Sequence, residues 1–206
     1  MRYEPIDNEL FKSNRKKFAE RMLPNSLAIF HSNDILPTNA DGVMPFKQNS
    51  DLFYLTGIDQ EETTLLLYPD SITDTYKELI FTKETNDLIA IWEGHKLSKE
   101  EVTNTSGVTS VFWQNDFNEI IQMLITQADH IYLNNNEHAR STSEVETRND
   151  RLNKKLREKY ALVKYERSAP IMHQLRFIKS QKEIENIQKA CDITEKAFKR
   201  ILKFTK

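Results

Sequence analysis

The sequence has 206 residues, with 29 lysines and arginines, 31 aspartates and glutamates, and a formal net charge of −2. A chain of this length buries about 70% of the surface that its unfolded form exposes, so it forms a core without metals or disulfides. The balance of charge argues against a nonspecific nucleic-acid binder, because no global positive field faces the phosphates. We therefore expect one large domain, or one domain with part of another.

Membrane and export signals are missing from the sequence. No apolar run approaches the roughly 18 residues that a membrane helix requires. The first residues, MRYEPIDNELF, carry acids and lack the apolar region of a signal peptide. The single cysteine, Cys191, cannot form an internal disulfide, which is typical of a reducing cytoplasm. We predict a cytoplasmic protein with neither a membrane nor a nucleic-acid partner.

The first part of the chain predicts a helix and then several strands. The helix begins at Asp7 or Asn8 and ends near Met22. Residues 33–50 contain prolines and polar residues without periodicity, which predicts a long functional loop. Apolar runs bounded by turn residues predict strands around this loop. They are SLAIFHS at 26–32, LFYLTG at 52–57, TTLLLYP at 63–69 and KELIFT at 77–82. The close spacing of the last three predicts an antiparallel meander.

Beyond residue 84, helical and strand-like segments alternate. Capping boxes, in which a serine and a glutamate satisfy backbone donors at a helix start, occur at Ser98/Glu101 and Ser180/Glu183. The predicted helices are ETNDLIAIWEG, the segment after Ser98, DFNEIIQMLITQ, residues 141–159 and the C-terminal stretch; the predicted strands are VTSVFW, HIYLN and ALVKYE. This alternation predicts an α/β fold with a mixed β-sheet flanked by helices on both faces.

The last predicted helix carries an apolar stripe at a spacing of three and four residues, from Ile184 to Leu202. No glycine or turn that would end this helix follows it. We therefore expect a complete α/β domain over residues 1–178. Residues 179–206 are predicted to be the first helix of a second domain that is absent.

Catalytic motifs are missing from these residues. The sequence has no HExxH, no GxSxG and no glycine-rich phosphate loop. His31 and Asp34 would supply two metal ligands where a site needs three or four. The adjacent acids Glu61 and Glu62 are typical of a solvated surface. We predict no catalytic residue and no metal site. Trp92 precedes a turn and either fills the core or projects for recognition, and composition favours the core.

Three stretches resemble one family in the same order. PFKQNSDLFYLTGIDQEETTLLLYP resembles the signature of the N-terminal domain of Xaa-Pro aminopeptidases (aminopeptidase P), which belong to the creatinase/prolidase-like two-domain metallopeptidases. IAIWEGHKL and HQLRFIKSQKEIENIQKACDIT are similar to two further stretches of that family. The resemblance implies that a pita-bread catalytic domain begins with the helix at 179–206. It also implies that this domain binds two divalent metals, usually manganese, through residues beyond Lys206.

The resemblance also implies roles for individual side chains. Trp92 matches the tryptophan of an I-W-x-G motif that reaches toward a neighbouring subunit's active site in oligomeric members. Asp41 matches an acidic residue of a loop near the same entrance. Both are therefore expected at the rim that limits substrate access. Four other motif residues are expected to be structural: Asn49, Asp51, Tyr54 and Gly57.

The complete enzyme implied by the resemblance is a metalloaminopeptidase that releases the N-terminal residue before a proline. The present chain would be its noncatalytic, inactive N-terminal domain and would serve oligomerisation and gating of substrate access. Its expected partners are its own catalytic domain, further copies in a dimer or tetramer, and peptides with proline in second position. Two alternatives stay open: the N-terminal domain of a prolidase or creatinase relative, and a free-standing binding or scaffold module.

Overall fold

A computed structural model describes residues 5–205 of the chain. These residues divide into two compact units, one ending at Met172 and the other beginning at His173. The division lies within a helix that ends at Phe177. No helix among the described residues is long and apolar enough to cross a membrane.

The first unit contains six helices and six strands within its described residues. The helices are α1 (Glu9–Ala19), α2 (Ser50–Thr56), α3 (Asp87–Glu93), α4 (Lys99–Ser106), α5 (Phe117–Ile125) and α6 (Arg148–Lys159). The strands are β1 (Ser26–His31), β2 (Thr64–Leu67), β3 (Glu78–Thr82), β4 (Ser110–Trp113), β5 (His130–Leu133) and β6 (Lys164–Arg167). Helix α7 (Ala169–Phe177) spans the division, and α8 (Gln181–Phe204) lies in the second unit.

The strands form one mixed sheet in the order β4-β3-β2-β1-β5-β6. Strand β2 is antiparallel to its neighbours β1 and β3, and the other pairs are parallel. The carboxyl ends of five strands therefore lie at one edge of the sheet, together with the start of β2. The loops that follow β1 and β3 both leave the sheet at this edge, which we call the carboxyl edge.

Helices cover both faces of the sheet, as the sequence predicts. Alternate strand residues face opposite sides, so Ile29 and Phe30 enter different layers. On the Ile29 side, strand residues pack with Phe117, Ile121, Leu124 and Ile125 of α5 and Leu156 of α6. On the other side, Phe30 contacts Phe18 of α1 edge to face, with ring centroids 5.2 Å apart. The two apolar layers bury the central strands β1 and β2 completely.

A buried arginine joins α1 to the neighbouring helices. The Arg15 side chain is 1% exposed, and its Nε forms an ion pair with Glu78 Oε2 at 2.9 Å. Its Nη1 donates to the carbonyls of Leu55 and Ser106 at 2.8 and 2.9 Å. These carbonyls lie in the last turns of α2 and α4, where no helical donor remains and the helix dipole favours a cation.

The predicted strand at 52–57 is wrong, because this segment lies in α2. The Asn49 side chain accepts hydrogen bonds from the backbone N–H groups of Asp51 and Leu52, which begins the helix. Gly57 ends it with φ +71°, the left-handed conformation that glycine adopts without strain. Leu52, Leu55 and Thr56 are buried at helical spacing, so burial follows a period of 3.6 rather than 2.

The ends of two other predicted helices differ from the structure. Helix α1 ends at Ala19 rather than near Met22. Helix α6 begins at Arg148 rather than at 141, because a capping box between Thr147 and Asp150 supplies the start. The predicted capping boxes at the starts of α4 and α8 are both confirmed.

Candidate functional site

Helix α3 presents an apolar face to solvent near the carboxyl edge. Leu88, Ile91 and Trp92 are 74%, 72% and 88% exposed, and none of the seven residues of α3 is buried. The spacing of i, i+3 and i+4 places these three side chains on one side of the helix. We call them the α3 face. Trp92 therefore does not fill the core, which composition alone had favoured.

The two ends of α3 are fixed by polar contacts. Asn86 caps its start by accepting hydrogen bonds from Leu88 N and Ile89 N, each at 3.0 Å. Near its end, Glu93 forms an ion pair with Lys83, the residue after β3, at 2.5 Å. This contact raises the pKa of Lys83 and lowers the pKa of Glu93. Helix α3 is thus held to the carboxyl edge through its polar groups.

Asp41 lies in a second exposed segment, the loop that follows β1. Within this loop, Pro37 and Val43 form an isolated bridge, and Thr38 N donates to Gly42 O at 2.9 Å. Asp41 is exposed in the turn of this small hairpin. Because β1 and β3 are parallel, the loops that carry Asp41 and Trp92 leave the same edge of the sheet.

Asp34 anchors the Asp41 loop to the start of α6. Its Oδ2 accepts a hydrogen bond from Arg148 N at 2.8 Å, and its Oδ1 pairs with Arg151 Nη2 at 2.5 Å. A carboxylate is favourable at this position because a helix N-terminus carries unpaired N–H groups and a partial positive charge. Asp34 therefore supports the loop, and both of its carboxylate oxygens have partners in α6.

The four motif residues expected to be structural all lie in or beside α2. Asn49 caps the helix, and Asp51 lies in its first turn. The carbonyl of Tyr54 accepts from the Asn14 side chain of α1 at 2.9 Å. At Gly57, a Cβ atom would lie 2.2 Å from Phe11 Cε2, so a side chain there would strike α1.

His31 is a buried, neutral histidine at the end of β1. Its Nδ1 forms a hydrogen bond with Thr64 Oγ1 at 2.7 Å, and its ring contacts that of Phe117 edge to face. Burial, together with the nearby positive charge of Arg148, lowers the pKa of His31 to about 3. Residues 5–205 contain no group of three or more histidine, cysteine, aspartate or glutamate side chains that could hold a metal. The donor set of a two-metal centre is therefore not found in the described part.

Sequence reasoning missed two residues beside α3, Gln60 and Glu61. Glu61 was expected in solvent, yet it is 8% exposed and pairs with Lys96. Gln60 is 5% exposed and bonds to the backbone of Leu97. No local pattern identifies them, because their partners lie 35 and 37 positions further along the chain.

The comparisons with known proteins identify the family. The model described as "Aminopeptidase P, N-terminal domain" matches residues 11–132, which is more than half of the chain. The chain belongs to this family. The resemblance stated from the three sequence stretches is therefore confirmed.

The relatives of this aminopeptidase P N-terminal domain are longer proteins. Xaa-Pro aminopeptidase of Escherichia coli K12 is 28% identical over 202 residues, which cover 96% of this chain and 45% of the relative. Xaa-Pro aminopeptidase of Haemophilus influenzae is 25% identical over 189 residues, covering 92% and 41%. The chain thus spans less than half the length of these curated relatives.

Solved structures agree with the fold. An alanine variant of Escherichia coli aminopeptidase P gives a TM-score of 0.75 at 25% identity, covering 95% of this chain and 44% of that chain. Pseudomonas aeruginosa aminopeptidase PepP gives a TM-score of 0.72 at 22% identity, and the match covers 88% of this chain and 41% of that chain. A zinc-substituted Escherichia coli aminopeptidase P in complex with product gives a TM-score of 0.74 at 24% identity, and the match covers 95% of this chain and 44% of that chain. The α/β architecture is therefore that of aminopeptidase P N-terminal domains.

Proposed function

We propose that this chain is the noncatalytic N-terminal domain of a metal-dependent Xaa-Pro aminopeptidase. The family match over residues 11–132 carries the proposal, supported by two Xaa-Pro aminopeptidases that are more than twice as long as the chain. In this proposal residues 1–178 form the domain, and the helix at 179–206 begins the catalytic domain. The complete enzyme releases the N-terminal residue that precedes proline.

The domain's own contribution in this proposal is control of access. Trp92 and Asp41 stand at the rim of the active-site entrance, supported by their exposure and by the common sheet edge from which their loops leave. Exposed apolar side chains such as those of the α3 face are suited to a protein or peptide partner. In this proposal the α3 face contacts a neighbouring subunit of a homo-oligomer. It also contacts the peptide that enters the active site of that subunit.

The chemistry of the proposed reaction belongs to residues outside this chain. A bond to proline is a tertiary amide without an N–H donor, and its ring restricts the geometry. Two divalent metal ions, manganese in this proposal, would activate a water and polarise the carbonyl. In this proposal their ligands belong to the catalytic domain, and residues 5–205 contain no group of three or more histidine, cysteine, aspartate or glutamate side chains that could hold a metal. The lone cysteine supports a cytoplasmic location.

The proposal is tested by assaying two proteins with Mn²⁺. One is this 206-residue chain, and the other is the product of the reading frame extended beyond Lys206. The extended protein should release the first residue from Xaa-Pro peptides of three or more residues, whereas the chain alone should release none. Hydrolysis by the chain alone would contradict a noncatalytic role. Cleavage of Xaa-Pro dipeptides only would favour the prolidase alternative.

A further inference from the structure

The segment after α3 is fastened to the loop before β2 by two partly buried polar contacts. Lys96 Nζ forms an ion pair with Glu61 Oε1, and the two side chains are 15% and 11% exposed. Gln60 Oε1 accepts a hydrogen bond from Leu97 N at 2.7 Å, while its Nε2 donates to Thr82 Oγ1 at 3.0 Å. Gln60 therefore joins this segment directly to the end of β3. We call these contacts the α3 tether.

The tether replaces the apolar packing that usually fixes a helix. Helix α3 has seven residues and buries none of them. Isolated helices shorter than about 12 residues are marginal in water, so α3 gains little order from its own hydrogen bonds. Its placement depends on Lys83, which pairs with Glu93, and on the tether just beyond it.

Gly94 connects α3 to the tether in a conformation that other residues avoid. Its φ is +76° and its ψ is 177°, a region that is almost exclusive to glycine. A Cβ atom added there would meet no atom within 4 Å. The backbone direction rather than space therefore requires glycine. It lets the chain leave α3 sharply and reach Lys96 and Leu97.

A buried ion pair adds little net stability compared with an apolar pair, but it specifies one geometry. The same holds for a buried amide whose oxygen and nitrogen both have partners. The α3 tether is therefore suited to orienting α3 rather than to strengthening the core. The side chains of the α3 face stay exposed.

We propose that Gln60, Glu61 and Lys96 are positioning residues that fix α3 so that Trp92 keeps one orientation at the active-site rim. This role rests on the proposed function, since it gives Trp92 its purpose. The three residues act through the helix and contact no substrate.

The tether is tested by hydrogen exchange over residues 87–97 and by the fluorescence anisotropy of Trp92. A Trp113→Phe background removes the other tryptophan of the chain. Lys96→Met should speed exchange over 87–97 about tenfold and lower the anisotropy, because one contact of the tether is lost. Lys96→Arg should restore both values. Lys77→Met removes an exposed pair with Asp74 and serves as the matched control.

A buried Glu61 without its partner could unfold the whole domain. The double variant Glu61→Leu, Lys96→Met removes both charges and leaves none buried alone. It should keep the thermal midpoint and still speed exchange over 87–97. Unchanged exchange in this segment, or an equal rise over β1 and β2, would overturn the positioning role.

The positioning role of the tether and the gating role of Trp92 can be tested separately. In the extended enzyme, Lys96→Met should change KM for long peptides in the same direction as Trp92→Ala, with kcat for short peptides retained. Faster exchange in Lys96→Met, together with unchanged kinetics in Trp92→Ala, would support the tether and contradict the gating role. Unchanged exchange would overturn the tether whatever the kinetics show.

Discussion

Arg15 and His31 are two titratable side chains buried in the first unit. Arg15 is paired with Glu78, whereas His31 stays neutral. Burial lowers the pKa of Arg15, and the negative charge of Glu78 partly offsets this shift. Both side chains sit where water cannot solvate an added or unpaired charge. Each gives a prediction that stability measurements can check.

Removing Arg15 should be costly. Arg15→Met leaves the carbonyls of Leu55 and Ser106 without a donor and leaves Glu78 without its partner. We expect a loss of about 3 to 5 kcal/mol in the free energy of unfolding, measured by urea denaturation. Lys154→Met, which breaks an exposed pair with Glu146, should cost about 0 to 1 kcal/mol. Equal losses in the two variants would contradict this role.

His31 should make the protein less stable as the pH falls. Its pKa is about 3 in the folded state and 6.5 in the unfolded state, so between pH 6.5 and pH 3 mainly the unfolded chain binds the proton. The free energy of unfolding should therefore fall from pH 6.5 toward pH 3, by up to about 1.4 kcal/mol for each pH unit. Denaturant titrations should show a shallower fall for His31→Asn. Identical slopes would refute a buried neutral histidine.

Helix α2 shows how caps decide secondary structure. The run LFYLT is apolar and rich in aromatic and β-branched residues, and a window this short fits a strand or a helix. Asn49 and Gly57 bracket it with the start and stop signals of a helix. Capping signals were read correctly at Ser98, where the glutamate three residues later strengthens them. At Asn49 no glutamate follows three residues later, so the apolar run there predicts a strand.

Gly57→Ala tests the end of α2. The new Cβ would meet Phe11 Cε2 at 2.2 Å, and φ would stay at +71°. We expect a loss of about 2 to 4 kcal/mol, since strain and a clash with a buried ring add. Gly94→Ala has a similar φ but open space, so it should cost about 1 to 3 kcal/mol of local strain only. A larger loss at Gly94 than at Gly57 would contradict the packing of α2 on α1.

Helix α8 gives a prediction for the second unit. It has 24 residues, none of them buried, and Ile187, Phe198 and Ile201 are 50%, 63% and 60% exposed. An apolar stripe of this kind is expected to bind a partner. The 206-residue chain should therefore dimerise in sedimentation experiments, and Ile187→Lys should shift it to a monomer. Glu185→Lys, on the polar side, should leave the dimer intact. A monomer with α8 disordered would contradict the prediction.

For the whole molecule, local signals in the sequence predicted most of the fold. All six strands of the sheet, the capping boxes of α4 and α8 and the cover of helices on both faces follow from periodicity and turn residues, which are local. Arg15 was not predicted, because its partners lie 40, 63 and 91 positions away. Gln60 and Glu61 were missed for the same reason. Contacts that position a site across the sheet have no local pattern.

The kinetics of the extended enzyme test the proposal that this domain limits access to an active site formed elsewhere. Trp92→Ala should change KM for Xaa-Pro peptides of five or more residues about fivefold, with little change for tripeptides. Ile72→Ala is the control, because this fully exposed side chain lies between β2 and β3 at the opposite sheet edge. Equal kinetics for Trp92→Ala and the unmodified enzyme on long peptides would contradict the claim.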